Sequence, residues 1–157
     1  MMWRRHGIRG VSWLFAIPAV FPLSGCTDPV LTSATRTGTT IEFVLDPCRP
    51  AWHKSKHVTV SELESKQDGG IVRKLWEISS PAERDVERVV YGVVPSGFEE
   101  TRLPASLASV RFVFIEYGEK GETDWVSADF ELQKIPSDKL LRVDGTVLSP
   151  QELNRCS

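Results

Sequence analysis

The sequence predicts an all-β domain, an antiparallel sandwich or barrel of about seven short strands. This prediction rests on three observations. Segments that alternate apolar and polar residues recur between positions 40 and 150 of the 157-residue chain, and glycine-containing turn signals separate them. No segment repeats the strand–helix–strand order from which parallel sheets are built.

Seven segments have the composition of strands, since they are rich in β-branched and aromatic residues. They begin at residues 41, 57, 71, 86, 109, 123 and 139. The first, IEFVLD, alternates Ile41, Phe43 and Leu45 with acidic residues, which is the period of a half-buried strand. The fifth, SVRFVFIEY, is apolar on both faces and is therefore predicted to be a central strand.

The breaks between these segments contain turn residues. KQDGG (66–70) and YGEKGE (117–122) are hairpin signals, and Gly97 in VPSGF is predicted in the left-handed conformation. SSPAER (79–84) places Ser80, Pro81 and Glu83 at the spacing of a helix N-terminus, which predicts one helical turn. SPQEL (149–153) has the same pattern and predicts a short C-terminal helix.

Residues 1–25 have the three regions of a secretory signal peptide. A basic start, MMWRRHGIRG, precedes the uncharged segment VSWLFAIPAVFPL, and the small residues Ser24 and Gly25 follow. The apolar segment spans only about 20 Å as a helix, less than the roughly 30 Å of a hydrocarbon core. A cleaved leader is therefore favoured over a membrane-spanning anchor.

The sequence LSGC, which ends at Cys26, resembles the lipobox of bacterial lipoprotein signal peptides. The resemblance implies that the Cys26 thiol receives a diacylglyceryl group, that a peptidase cleaves before it, and that the new amino terminus is acylated. Several acyl chains would anchor the protein stably, whereas one chain is marginal. Thr27 stands where inner-membrane lipoproteins of enterobacteria have aspartate, which favours the outer membrane, facing the periplasm. The alternative is a chance cysteine near an ordinary cleavage site.

These observations divide the chain into three parts. Residues 1–25 form the lipoprotein signal peptide, residues 26–39 a lipidated flexible tether, and residues 40–157 the β-sandwich domain. The tether is predicted from its threonine, serine and glycine content and its lack of periodicity.

The segment from Trp76 to Phe98, with WEI followed by VVYGVVPSGF, is similar to a signature of small bacterial lipoproteins with an immunoglobulin-like or fibronectin-type sandwich. The resemblance implies an immunoglobulin-like sandwich with Trp76 as its central tryptophan, and it brings no assigned activity. The chain departs from the usual pattern because no inter-sheet cysteine pair flanks Trp76.

Cys48 and Cys156 are the two thiols that remain once Cys26 is lipidated. In an oxidising envelope such a pair predicts a disulfide, and two reduced, buried thiols are the alternative. Cys48 also lies near His53 and His57, whose spacing could bind zinc on a helix. Because Pro50 and the β-rich HVTV disfavour a helix there, we predict no metal site and two solvent-exposed loop histidines.

The remaining composition argues against several functions. Without residues 1–25 the chain has 16 basic and 21 acidic side chains, a net charge of −5, so it lacks the basic face that nucleic-acid binding requires. The sequence contains no G-x-S-x-G motif, and no nucleophile, base and orienting residue can be assembled from it. The sequence therefore predicts neither an enzyme nor a cofactor.

The predicted function is a non-catalytic protein-binding or structural module at the cell envelope. Trp52, Tyr117 and Trp125 are the candidate residues of a partner surface, although aromatic residues more often pack in a core or at a sheet edge. A periplasmic enzyme inhibitor or chaperone-like lipoprotein and a carrier of a small ligand are the alternatives.

The lipobox resemblance predicts that Cys26→Ser abolishes metabolic labelling with a palmitate analogue. Wild-type protein should be labelled, and mass spectrometry of its N-terminus should find Cys26 as the first residue. Cys48→Ser serves as the matched control and should be labelled like wild type. Equal labelling of the Cys26→Ser variant, or a native product that starts at Met1, would contradict the anchor.

Overall fold

The computed structural model describes residues 32–48, 53–66, 69–118 and 125–155. These residues form ten strands and one short α-helix. The strands are β1 (Thr32–Thr37), β2 (Thr40–Leu45), β3 (Lys54–Leu63), β4 (Ile71–Asp85), β5 (Arg88–Val90), β6 (Glu99–Arg102), β7 (Phe112–Tyr117), β8 (Val126–Glu131), β9 (Leu140–Arg142) and β10 (Val147–Leu148). A 3₁₀ turn (Leu132–Lys134) follows β8, and helix α1 (Pro150–Leu153) follows β10.

The strands form two antiparallel sheets of five. The first has the order β10-β9-β1-β2-β5 and the second the order β6-β4-β3-β7-β8. The neighbours β1-β2-β5 and β3-β7-β8 reproduce the adjacent A-B-E and C-F-G strands of an immunoglobulin sandwich, with β4 beside β3. The predicted immunoglobulin-like sandwich is confirmed, and β6, β9 and β10 are additions to its seven-strand core.

The core lies between the sheets and follows from the two-residue period of the strands. On β7, Val113 and Ile115 are buried while their neighbours are only half-buried. Phe43 of β2 packs against Phe130 of β8 with 6.0 Å between ring centroids, so this contact joins one sheet to the other.

Trp76 is the centre of a second set of contacts and is 0% exposed. Its indole Nε1 donates a hydrogen bond to Glu100 Oε1 at 2.8 Å, and the Tyr91 ring meets it edge-on at 5.6 Å. The Tyr91 hydroxyl in turn donates to the Ala105 carbonyl at 2.8 Å. Trp76 lies on β4, one strand away from the strand that holds the central tryptophan of antibody domains.

The predicted tether over residues 26–39 is wrong from Thr32 onward, because those residues form β1. This strand pairs with both β2 and β9 and is the middle strand of the first sheet. Thr32, Ser33 and Ala34 are buried, and Gly38 adopts a φ of 60° in the turn to β2. Threonine is a strong strand former, so the hydroxyl-rich composition of this segment is that of a strand. The domain therefore includes the residues from 32 onward instead of starting at residue 40.

The predicted helical turn at residues 79–84 is also wrong, because β4 continues through it to Asp85. His57 pairs with Ser79 and Ser55 with Arg84, so four residues of β4 oppose the single Lys56 of β3. Pro81 falls within this bulge, where no ladder hydrogen bond requires its missing N–H.

Other local predictions are confirmed. Gly97 has a φ of 84°, and Ser149 forms a capping box with Glu152 at the start of α1. The last predicted strand, KLLRVDGTVLS, is a hairpin of two short strands, β9 and β10, with Gly145 at a φ of 88° in its turn. In the described ranges, no helix has the length and apolar composition that crossing a bilayer requires.

Cys48 lies in the turn after β2, outside the strands, and is in a disulfide bond. Its backbone N–H donates to Asp46 Oδ1 at 2.9 Å. Cys156, the partner predicted from the sequence, lies outside the described residues, so the identity of the second cysteine stays a prediction.

The predicted Cys48–Cys156 bond would close a loop of about a hundred residues, worth at most about 4–5 kcal/mol through chain entropy. The double variant Cys48→Ser/Cys156→Ser should therefore unfold at a lower urea concentration than the oxidised wild type. Reductant should lower the wild-type midpoint to the same value and leave the variant unaffected. The pairing would be rejected if the oxidised wild type and the variant had equal midpoints and reductant left the wild-type midpoint unchanged.

Candidate functional site

The solvent-facing side of the second sheet has an unusual mixture of side chains. The register places Ser61 of β3, Phe114 of β7 and Asp129 of β8 in one row, since directly opposed residues share a face. Glu116 lies in the next row, between Thr59 and Ser127. The side chains of this face therefore include apolar rings as well as carboxylates.

A pocket of about 260 Å³ lies on this face and is open to solvent. We call it the outer-face pocket. It is lined by Leu63, Gly69, Ile71, Phe114, Glu116, Trp125 and Asp129. Strands β7 and β8 hold three of these side chains, so most of the polar and aromatic groups sit on rigid elements.

The polar groups of the outer-face pocket are incompletely paired. The Trp125 indole Nε1 donates to Glu116 Oε1 at 3.3 Å. Asp129 Oδ2 is buried and has no hydrogen-bond partner. The neighbouring Ser61 is 1% exposed, and its Oγ has no partner either. Buried polar groups are normally satisfied, so the unpaired Asp129 Oδ2 makes this pocket the candidate site for a ligand that carries hydrogen-bond donors.

A second pocket, of about 480 Å³, lies beside the β1–β2 turn. We call it the Arg36 pocket, since Arg36 is the charged residue in its lining. The Arg36 Nη2 donates to the Leu132 carbonyl at 2.6 Å, and this bond ties the guanidinium to the 3₁₀ turn after β8. Tyr91 and Val110 form part of the wall.

Of the three residues predicted for a partner surface, one stays a candidate, one is excluded by its burial, and one lies outside the described residues. Trp125 lies in the wall of the outer-face pocket and stays a candidate. Tyr117 is 1% exposed and faces the core from β7, so its assignment to a partner surface is wrong: the alternation that turns Ile115 inward turns Tyr117 inward as well. Trp52 and the predicted lipidation residue Cys26 lie outside the described residues.

Sequence inspection missed Phe114, Glu116 and Asp129 as site residues. The signal available for Phe114 was the segment SVRFVFIEY, which is apolar on both faces, although the domain needs only one of those faces for its core. The carboxylates gave no separate signal, because Asp129 meets Phe114 only through the pairing of β7 with β8.

The two histidines considered for zinc are not exposed loop residues. His53 is 3% exposed, and its Nε2 lies 2.9 Å from the Asp46 carbonyl oxygen. His57 is half-buried on β3. Among the residues that the structure describes, no group of three or more histidine, cysteine, aspartate or glutamate side chains could hold a metal ion together.

Comparisons with protein-family models, with curated proteins and with solved structures found no match for this chain.

Tyr117→Phe is expected to raise the free energy of unfolding at pH 7 by about 1 kcal/mol, since the Tyr117 hydroxyl is buried without a partner. Burial also raises the pKa of the Tyr117 phenol. The pKa of the Tyr117 phenol is therefore higher in the folded protein than its unfolded value of about 10. The contribution of this shift to stability is fully present below pH 10 and is lost as the pH rises above 10, because the phenol then ionises more readily in the unfolded chain.

The advantage of the phenylalanine variant should therefore grow above pH 10, by about 1.4 kcal/mol per pH unit. Urea unfolding of both proteins at pH 7 and pH 11 measures the difference. A variant that is less stable at pH 7, or a gap that stays constant between the two pH values, would contradict the burial of an unpaired phenol.

Proposed function

We propose that this protein is a bacterial lipoprotein, anchored through Cys26 to the periplasmic side of the outer membrane, and that its sandwich is a non-catalytic protein-binding module. The proposed contact surface is the outer-face pocket together with the adjacent start of β4. The lipobox resemblance supports the proposed membrane location, and the surface of the second sheet supports the proposed binding role.

The observation that supports binding is the apolar character of a solvent-facing surface. An antiparallel sheet with one face on the core normally has polar side chains on the other. Here Phe114 and Trp125 are only half-buried, while Ile71 and Val72 are 54% and 59% exposed. Ile71, Phe114 and Trp125 line the same pocket, and exposed apolar groups that lie together are typical of interaction sites.

The edge of β4 adds backbone groups to this surface. Strand β6 pairs with Glu77–Ser79 of β4, and none of the described strands pairs with the same edge at residues 71–74. An extended segment of a partner could add to such an edge through main-chain hydrogen bonds, with Ile71 and Val72 providing apolar contacts. The inhibitor and chaperone-like alternatives would use the same surface.

A small-ligand carrier has less support. Carriers enclose an apolar ligand, since a buried pocket removes most of the ligand surface from water. Both the outer-face pocket and the Arg36 pocket open to solvent, and the space between the sheets is filled by packed side chains such as Phe43 and Phe130.

Site-specific photo-crosslinking tests the proposed surface in cells. A benzophenone amino acid at Val72 should give a discrete crosslinked species in the envelope, because this side chain is 59% exposed and directly follows Ile71, which lines the pocket. The same amino acid at Thr37, exposed on the first sheet, is the control and should give none. Trp125→Ser in the Val72 background should weaken the crosslink severalfold, since it removes the largest apolar group of the surface.

Two results would contradict the proposal. One is the absence of any crosslink from position 72, and the other is an equal crosslinked species from position 37. Fractionation of the same cells tests the address, since the proposed anchor requires the wild type, but not Cys26→Ser, in the outer-membrane fraction.

A further inference from the structure

We infer that the outer-face pocket binds a positively charged side chain, the ammonium group of a lysine or the guanidinium group of an arginine, presented by the protein partner. This inference rests on the proposed function and specifies the chemistry of its partner.

The first argument is uncompensated negative charge. Asp129 Oδ2 is buried without a hydrogen-bond partner, and Glu116 has the neutral Trp125 indole as its neighbour at 3.3 Å. Removing a carboxylate from water is unfavourable unless a cation or several donors replace the water. Two carboxylates in one pocket therefore favour a positively charged occupant.

The second argument is that three cations on the neighbouring strands and turn pair with other carboxylates. Arg73 contacts Glu62 at 2.7 Å. Arg111 and Lys134 contact Glu131 at 3.3 and 2.7 Å. In the described part of the chain, no lysine or arginine forms an ion pair with Asp129 or Glu116, so none of the described cations competes with a partner's cation for these two carboxylates.

The third argument concerns the type of cation. Aromatic faces attract organic cations, and Trp125 and Phe114 both line the pocket. The apolar side chains Leu63 and Ile71 can cover the methylene groups that lead to the charged group of lysine or arginine. Indole and phenyl rings are poor ligands for a metal ion, whereas they suit an alkylammonium or guanidinium group.

The size of the pocket agrees with a single side chain. Its volume of about 260 Å³ is below the roughly 300–1,000 Å³ typical of drug-sized ligands.

Calorimetric titration of the full-length lipidated protein in detergent micelles tests this inference. The probes are N-acetyl-lysine amide and N-acetyl-arginine amide, with N-acetyl-norleucine amide as the uncharged analogue of similar shape. At least one cationic probe should bind saturably and at least about tenfold more tightly than the norleucine probe, because a charged hydrogen bond is worth about a factor of ten or more. Added salt should weaken the binding.

Asp129→Asn and Glu116→Gln should each weaken cation binding by about tenfold. Glu42→Gln is the matched control, because it removes the same charge from the first sheet, where Glu42 pairs with Arg88. Its binding should equal that of the wild type. Asp129→Asn should unfold at an equal or higher urea concentration than the wild type, since the Asp129 side chain makes no hydrogen bond within the described residues that the change could break.

The outcomes separate this inference from the proposed function. Equal binding of the norleucine probe, or unchanged binding by both carboxylate variants, would overturn the cation site. Loss of cation binding together with a persistent crosslink from position 72 would overturn the cation site and leave the protein-binding module supported. Cation binding without any crosslink would overturn the partner and indicate a free amine as the ligand.

Discussion

The register of β3 between β4 and β7 determines the character of both faces of the second sheet. Val58 and Val60 turn towards the first sheet and are buried there, while Thr59 and Ser61 turn to the opposite face. Because the side-chain period is two, a slip of one residue would exchange these sets and expose the apolar ones. Core packing therefore fixes which groups form the outer-face pocket.

Strand β7 contributes side chains both to the core and to the outer-face pocket. Its inward residues include Val113 and Ile115, and its outward residues include Phe114 and Glu116. The hydrogen-bonded neighbours β3 and β8 hold β7 on both sides. A binding group on such a strand is already ordered before a partner arrives, which lowers the entropic cost of association.

Most of the fold could be predicted from the sequence because alternation and turn chemistry are local signals. The seven predicted segments correspond to β2–β5, β7, β8 and the β9–β10 hairpin. Two strands were missed for physical reasons. Strand β1 begins with Thr32 and Ser33, whose hydroxyls suggest a linker until their burial is known. Strand β6 is exposed at all four positions and so shows no apolar alternation.

The candidate site was predictable only in part. The sequence indicates Trp125 as a candidate surface aromatic residue, and Trp125 lines the outer-face pocket. Tyr117 was misassigned because SVRFVFIEY is apolar on both faces, so its pattern does not indicate which face is buried. The pairing of Phe114 with Asp129 depends on the register between two strands, which periodicity within either strand does not encode.

The early start of β1 has a consequence for how the domain stands on a membrane. Thr32 lies six positions after Cys26, and a chain segment of this length spans at most about 20 Å. Thr32 pairs with Leu45, so the start of β1 and the end of β2 share one end of the sandwich, while Gly38 and the Arg36 pocket lie at the other. A lipidated Cys26 would hold the Cys48 end next to the headgroups and point the Gly38 hairpin away from the bilayer. The domain would then meet its partners close to the membrane plane.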